Sequence, residues 1–252
     1  MKLALFQLPS PAGDTGAAFA AVERGLAVAA AAGAGMAVFP EVFLPGYNLE
    51  TMHGEPLGGP WDTRLAALAR GAGVGLCLGF AEAAEGRLWN SALALGPDGG
   101  RLARYRKIQL FGPREKAIYA PGERYATFDL AGRRAALLIC YDIEFAPHIR
   151  ALAERGVEVI LCPTANMEPF THVTRHVLPA HAANHRVTIA YANYCGAERD
   201  LTYYGGSAVV GPDGVVLAEA GPGETVLVVD LAHPPDPRLL QTHLADFREA
   251  RG

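Results

Sequence analysis

Short apolar runs that end at a proline, a glycine or a polar turn alternate with longer alanine-rich stretches through the first two thirds of the chain. Strands buried on both faces read as such runs, and helices that connect parallel strands read as such stretches. Residues 2–8 predict a first strand. Asp14 and Thr15 stand where an N-cap would open a helix to about residue 32. Residues 36–39 read as a buried strand stopped by Pro40, 61–70 as a helix and 74–80 as a strand. Residues 137–140 form a further buried strand, followed by a helix to 155 and a stop at Gly156. A strand over 157–162, a helix over 171–186 and a strand over 187–194 complete the pattern. Two near-copies of one hairpin, at 93–105 and 208–218, place Gly-Pro-Asp-Gly between apolar runs. Proline and glycine supply the dihedrals of the turn. Helices on sheets with antiparallel pairs included make this an α/β protein.

Composition excludes several partners. The 252 residues carry 22 Lys and Arg against 26 Asp and Glu, a net charge of −4, with no basic block, so nucleic acid is not expected as a partner. Half of the residues are hydrophobic, which rules out intrinsic disorder. The longest apolar stretch, 25–39, is broken by glycines and is mostly alanine, too weak to span a membrane. The apolar run at residues 2–8 is too short for a signal peptide. Cys77, Cys140, Cys162 and Cys195 show no CxxC spacing and read as reduced thiols in a cytoplasm. No linker stands out, so one domain is expected over residues 1–252. The tail from 233 to 252, with Pro234, Pro235 and Pro237, is expected to lie over the surface or a partner subunit.

Three positions have the character of strand-end chemistry. Glu41 follows a buried strand and a proline. Lys107 ends the strand of the first hairpin. Cys140 closes a buried strand before a helix, where a helix N-terminus would lower the thiol pKa and favour a nucleophile. Other constellations fall short. His172/His176 and His181/His185 have i,i+4 spacing without an HExxH glutamate. Residues 71–75 do not complete GxGxxG, and Gly205-Gly206-Ser207 is no nucleophile elbow.

Together these segments resemble the nitrilase, or carbon–nitrogen hydrolase, superfamily over nearly the whole chain. The matching segments are Pro40-Glu41 with Gly46-Tyr47, Asn90-Ser91, Tyr105-Arg106-Lys107 and Cys140-Tyr141-Asp142. The resemblance implies a four-layer α-β-β-α sandwich, a homodimer or higher homo-oligomer, and hydrolysis of a small amide without metal or organic cofactor. It further implies Cys140 as nucleophile, Glu41 as proton shuttle, Lys107 with the Tyr141 N–H as oxyanion holder, and Glu115 as a second acid beside Lys107. Longer words around Glu41, Cys140, Asn166 and Tyr194 resemble the branch that acts on 5-aminopentanamide. Tyr47, Asn166 and Tyr194 are candidate pocket residues. Glu144 takes the position at which related ω-amidases carry an arginine, and its charge suits a distal ammonium. The alternatives are an ω-amidase on dicarboxylate monoamides, an N-carbamoyl-amine hydrolase, and, from another class, a non-catalytic scaffold subunit. Two family words are altered: Phe145-Ala146-Pro147 replaces Phe-Pro-Glu, and residues 181–185 replace Arg-Ala-x-Glu-Asn. A supporting ion pair is expected to have been lost as a unit.

Overall fold

The structure, a computed structural model, describes residues 1–232 and 234–248. Strand β1 (Lys2–Pro9) leads to helix α1 (Thr15–Ala31), which opens as expected on Asp14, whose carboxylate accepts the Ala17 N–H at 2.8 Å. Then come β2 (Ala34–Val38), α2 (Pro60–Ala72) and β3 (Gly75–Ala84), and β1, β2 and β3 pair in parallel. The strands β4 (Arg87–Leu95) and β5 (Arg101–Arg106) add to β3 antiparallel, and a short helix α3 (Gly112–Ile118) follows.

The second sheet repeats this plan. It runs through β6 (Ala126–Leu130), β7 (Arg133–Leu137), α4 (Ala146–Ala153), β8 (Val159–Pro163), α5 (Leu178–His185) and β9 (Thr188–Ala192), with β7, β8 and β9 parallel. The remaining elements are β10 (Tyr194–Glu198), β11 (Leu201–Tyr204), β12 (Ala208–Val210), β13 (Val216–Glu219), β14 (Thr225–Asp230) and α6 (His243–Asp246). One sheet has the order β11-β10-β1-β2-β3-β4-β5 with β14 also on β1, and the other β13-β12-β9-β8-β7-β6. In each, three parallel strands joined by helices end on an antiparallel hairpin, β4–β5 or β12–β13. The two Gly-Pro-Asp-Gly turns close these equivalent hairpins.

Packing gives the four layers. Leu3, Leu5, Val38, Ala92 and Tyr105 of one sheet meet Ala135, Leu137, Ile160 and Ala190 of the other in a shared core. On the far faces, α1 and α2 cover the first sheet through Phe19, Val22, Leu26 and Leu65, and α4 and α5 cover the second through Ile149, Leu152 and Leu178. Each such leucine contributes about 1.5–3 kcal/mol by leaving water, so both sheets are held from two sides.

Two expectations are corrected. The run 187–194 is two strands, because the chain crosses from the second sheet to the first at Asn193. That buried side chain bonds the Asn166 and Gly205 carbonyls at 3.0 and 2.6 Å and accepts the Asn166 N–H at 2.8 Å. Residues 187–194 are all buried, so the apolar run hides the break. The strand before Cys140 ends at Leu137, and the helix after it is split. A 3-10 turn, Cys140–Glu144, precedes an extended Phe145, and Pro147 opens α4 in its first turn, where its missing N–H costs nothing. The tail, over its described residues 234–248, reaches α4 on the surface of its own chain. There the Arg150 guanidinium sits 4.0 Å from the Phe247 ring centroid. Residue 233 and residues 249–252 lie outside the described residues. The altered family positions Ala146, His181 and Asn184 line one cavity of about 300 Å³ between α4 and α5, closed by Phe247.

Gly79 on β3 fixes the height of the loop after β2. A Cβ there would lie 2.2 Å from the Val42 nitrogen and 2.5 Å from the Glu41 Cα, both backbone atoms that cannot swing aside. Gly79→Ala should therefore cost about 1–3 kcal/mol. Gly71, on α2 with open space around its Cβ position, is the control: Gly71→Ala should leave stability unchanged or raise it. Equal melting temperatures for the two variants would refute the close packing.

Candidate active site

The site forms where strand ends of the two sheets meet. Glu41 follows β2, Lys107 follows β5, Cys140 follows β7, Asn90 stands on β4 and Glu115 on α3. The Glu41 N–H donates to the Thr164 carbonyl at 3.3 Å, which ties the first sheet's loop to the end of β8. Lys107 is wholly buried, with its Nζ 2.6 Å from Glu41 Oε1 and 2.8 Å from Glu115 Oε1.

The two carboxylates are held differently. Both oxygens of Glu115 are engaged: Tyr47 donates its hydroxyl to Oε1 at 2.7 Å and the Phe111 N–H donates to Oε2 at 2.8 Å. Glu41 takes Lys107 and the Asn90 amide, 2.7 Å away, on Oε1 alone, and its buried Oε2 has no partner among the described residues. Burial pushes the Glu41 carboxyl up and Lys107 pulls it down, and with the Glu115 charge the result is a rise to about 7. Burial works against the Lys107 charge, but Glu115 and Glu41 outweigh it and hold the ammonium well above the ordinary lysine range.

Cys140 opens its 3-10 turn at φ 45°, a left-handed conformation rare outside glycine and a strain of about 1–3 kcal/mol. It is the one cysteine of the four that keeps partial exposure; Cys77, Cys162 and Cys195 are buried core thiols, as expected. The expected lowering of its pKa is overturned. Burial first, and then the Glu41 charge, push the thiol up. A 3-10 turn of five residues also lacks the aligned dipoles of a long helix. The surroundings therefore favour the neutral thiol at Cys140.

The remaining predicted residues scatter around this centre. Tyr47 holds Glu115. Tyr141, half-buried, stacks edge-on against Phe111 and Phe145, centroids 5.3 and 4.9 Å apart. Glu144 is half-buried on the same turn and forms no ion pair among the described residues; burial raises its pKa, and His172 and Lys107 pull it down. Asn166 is committed to backbone, its amide bonding the Phe170 carbonyl at 3.1 Å. Tyr194 is enclosed by Phe43 and Tyr203, centroids 6.0 and 4.9 Å away, and lies in the core. The reading of the sequence gave Asn90 and Asp142 no role, although both lie inside the words that carry the resemblance.

A family model described as carbon-nitrogen hydrolase matches residues 2–234. The chain belongs to the carbon–nitrogen hydrolase family. An (R)-stereoselective amidase of Pseudomonas sp is 39% identical over 237 residues, 92% of this chain and 85% of its own length. The omega-amidase of Homo sapiens is 31% identical over 216 residues, 81% of this chain and 78% of its own. A solved amidase from Nesterenkonia sp. superposes with a TM-score of 0.88 at 35% identity, covering 98% of this chain and 93% of that one. This carbon–nitrogen hydrolase of the nitrilase superfamily is thus a cysteine-dependent amidase.

One lysine between two buried carboxylates makes opposite predictions for its partners. Lys107→Met strips the only cation from the group and should destabilise the fold by about 3–5 kcal/mol. Glu41→Gln keeps one oxygen acceptor for Lys107 and Asn90 and leaves a neutral Lys107–Glu115 pair. Because the folded Glu41 carboxyl lies above its ordinary 4.5, at about 7, its contribution is complete below 4.5 and is lost as pH rises through 7. Relative to wild type, Glu41→Gln should therefore gain melting temperature from pH 5 to pH 8. A constant difference across that range would sink the assignment.

Proposed function

We propose that the protein hydrolyses a small linear carboxamide whose far end carries an ammonium, with 5-aminopentanamide as the representative substrate. The reading of the machinery rests on the asymmetry of the two carboxylates: Glu115 has no free oxygen, whereas Glu41 keeps Oε2 unpaired in a buried site. Glu41 is then the proton acceptor, and Glu115 keeps Lys107 charged and in place.

The steps follow from this arrangement. As Cys140 Sγ attacks the carbonyl carbon, its proton passes to Glu41 Oε2. The thiol's raised pKa makes that transfer uphill until the sulfur–carbon bond forms, so the two events are coupled. An ammonium has three N–H groups; two of those on Lys107 face Glu41 and Glu115, and the third is free for the oxyanion. The Tyr141 N–H, at the start of the turn, is among the donors that a helical turn leaves without an internal partner. Glu41 returns the proton to the leaving nitrogen, and ammonia departs from a thioester. Water, deprotonated by the same carboxylate, attacks the acyl carbon and releases the carboxylate product with the thiol restored. The Nesterenkonia amidase, solved with butyramide and with the acetamide moiety of fluoroacetamide on its active-site cysteine, supports a small aliphatic amide and this nucleophile.

The charge at the far end rests on Glu144. A half-buried carboxylate without an ion pair favours an ammonium and repels the distal carboxylate of an ω-amidase substrate. At about 4 Å and an effective dielectric near 20 the attraction is roughly 4 kcal/mol before desolvation. A quarter to a half of that, surviving as selectivity, is about a tenfold preference. The related omega-amidase makes the dicarboxylate monoamide the second reading, and the sign of the charge at Glu144 disfavours it.

Intact-mass analysis during turnover should find an acyl adduct on Cys140, absent in Cys140→Ala; an adduct on Cys77, Cys162 or Cys195 would reassign the nucleophile. Because Glu41 must be ionised to accept the proton, kcat/KM should fall as pH drops below about 7.

Glu144→Gln should lower kcat/KM for 5-aminopentanamide about tenfold and leave pentanamide nearly unchanged. An equal loss for both amides would assign Glu144 to the turn instead of the substrate.

A further inference from the structure

The segment that carries Lys107 and the segment that carries Cys140 belong to different sheets, and one buried side chain joins them. Asp142 is fully buried, and three donors converge on its carboxylate. Tyr105, two residues before Lys107, donates its hydroxyl to Oδ2 at 2.8 Å. Gln109, two residues after Lys107, donates its N–H to Oδ1 at 2.7 Å. Ile139, directly before Cys140, donates its N–H to Oδ2 at 3.1 Å. The last bond is half of a capping box, the third residue of the turn reaching back to the residue that opens it. The same carboxylate therefore grips Lys107 from both sides and braces the strained left-handed Cys140.

We propose that Asp142 is a positioning residue that sets the placement of the Lys107 ammonium relative to the Cys140 thiol. The inference rests on the reading of Lys107 and Cys140 given above. It touches neither substrate nor the reacting atoms; it acts through the two residues that do. A second bond set supports the clamp: the Gln109 side-chain amide lies 3.0 Å from His148 Nε2, and the Tyr125 hydroxyl 2.7 Å from His148 Nδ1. The loop after Lys107 is thus fixed to α4 on its other flank.

Only an acceptor on both oxygens fits these three donors. An ionised carboxylate accepts at every position, whereas an asparagine carries two N–H donors on one side of its amide. With that NH2 at the Oδ1 position it faces the Gln109 N–H; flipped, it faces the Ile139 N–H. Either way a donor meets a buried donor and the two segments move apart. Aspartate and asparagine are nearly the same size, so the change is one of hydrogen-bond polarity and not of packing.

The test is Asp142→Asn, assayed on an amide with the enzyme concentration set by active-site titration. The expected result is a fall in kcat of at least about tenfold, the scale of a small misplacement of reacting groups, with KM within about threefold of wild type. Because Lys107 pulls the Glu41 carboxyl down, a displaced Lys107 should also move the acid limb of the kcat/KM profile to higher pH. A role confined to folding would lower the melting temperature and leave kcat per titrated site and the acid limb where they are. Should Asp142→Asn fail to fold, Tyr105→Phe removes a single donor and should give the same two changes at about a threefold loss in kcat. Wild-type kcat and acid limb in the folded variant overturn the proposal. Cys140→Ala separates it from the reading beneath: if that variant still hydrolyses amides, the assignment of the nucleophile fails and the positioning role falls with it. If it is inactive while Asp142→Asn behaves as wild type, the positioning role alone is lost.

Discussion

An ammonium buried between two carboxylates is the constraint around which the rest of this protein is arranged. Lys107 has no access to water and keeps its charge only because Glu41 and Glu115 each present an oxygen within 2.8 Å. A lone buried cation would deprotonate or pull the fold apart. Two anions on one cation leave a net negative charge in the interior, which the protein offsets by hydrogen bonds to Glu115 and by allowing Glu41 to titrate near neutrality. The group that bears the residual strain is the one left free to move a proton. Stability and proton transfer therefore draw on the same imbalance.

The sheets explain how such a cluster can be assembled from residues so far apart in sequence. Each parallel strand delivers its last residues to the same end of the sandwich, and the two sheets bring Glu41 and Cys140 there from opposite sides. Gly79 lets the Glu41 loop lie directly on β3, and Thr164 at the end of β8 holds that loop through its carbonyl. The repeated hairpin has the same logic. In each sheet it closes the antiparallel flank beside the third parallel strand, and on the first sheet it places Asn90 on β4 and brings Lys107 in directly after β5.

Much of this was legible in the sequence, and the gaps have physical causes. The Asp14 cap, the Gly-Pro-Asp-Gly turns and the proline after β2 are local signals and appear where the residues predict them. The break at Asn193 leaves no local trace, because the residues on either side of it are buried and the apolar run simply continues. The Cys140 turn misled in another way. Strand followed by helix is the usual setting of a low-pKa cysteine, but an extended Phe145 interrupts the helix, and the thiol is governed by burial first and then by Glu41 and Lys107, distant in sequence. Asp142 was hidden because its partners are one side-chain hydroxyl and two backbone N–H groups, which no residue pattern advertises.

The neutral thiol follows from the same charge count. A resting Cys140 thiolate would be a third anion in a group that holds one cation, and a short 3-10 turn offers little to compensate it. In the proposed mechanism the thiolate is therefore not preformed, and the nucleophile is generated at the moment of attack. That places the requirement on Glu41: its free oxygen must be ionised when the substrate arrives, yet basic enough to take a proton from sulfur as the new bond forms. A carboxyl poised near 7 meets both conditions, and one at its ordinary 4.5 would meet only the first. Once the sulfur is bonded, the negative charge has moved to the substrate oxygen, where the third N–H of Lys107 can reach it. On this proposal, charge that the interior could not accommodate at rest is accommodated in the transition state, and that difference between the two states accelerates the reaction.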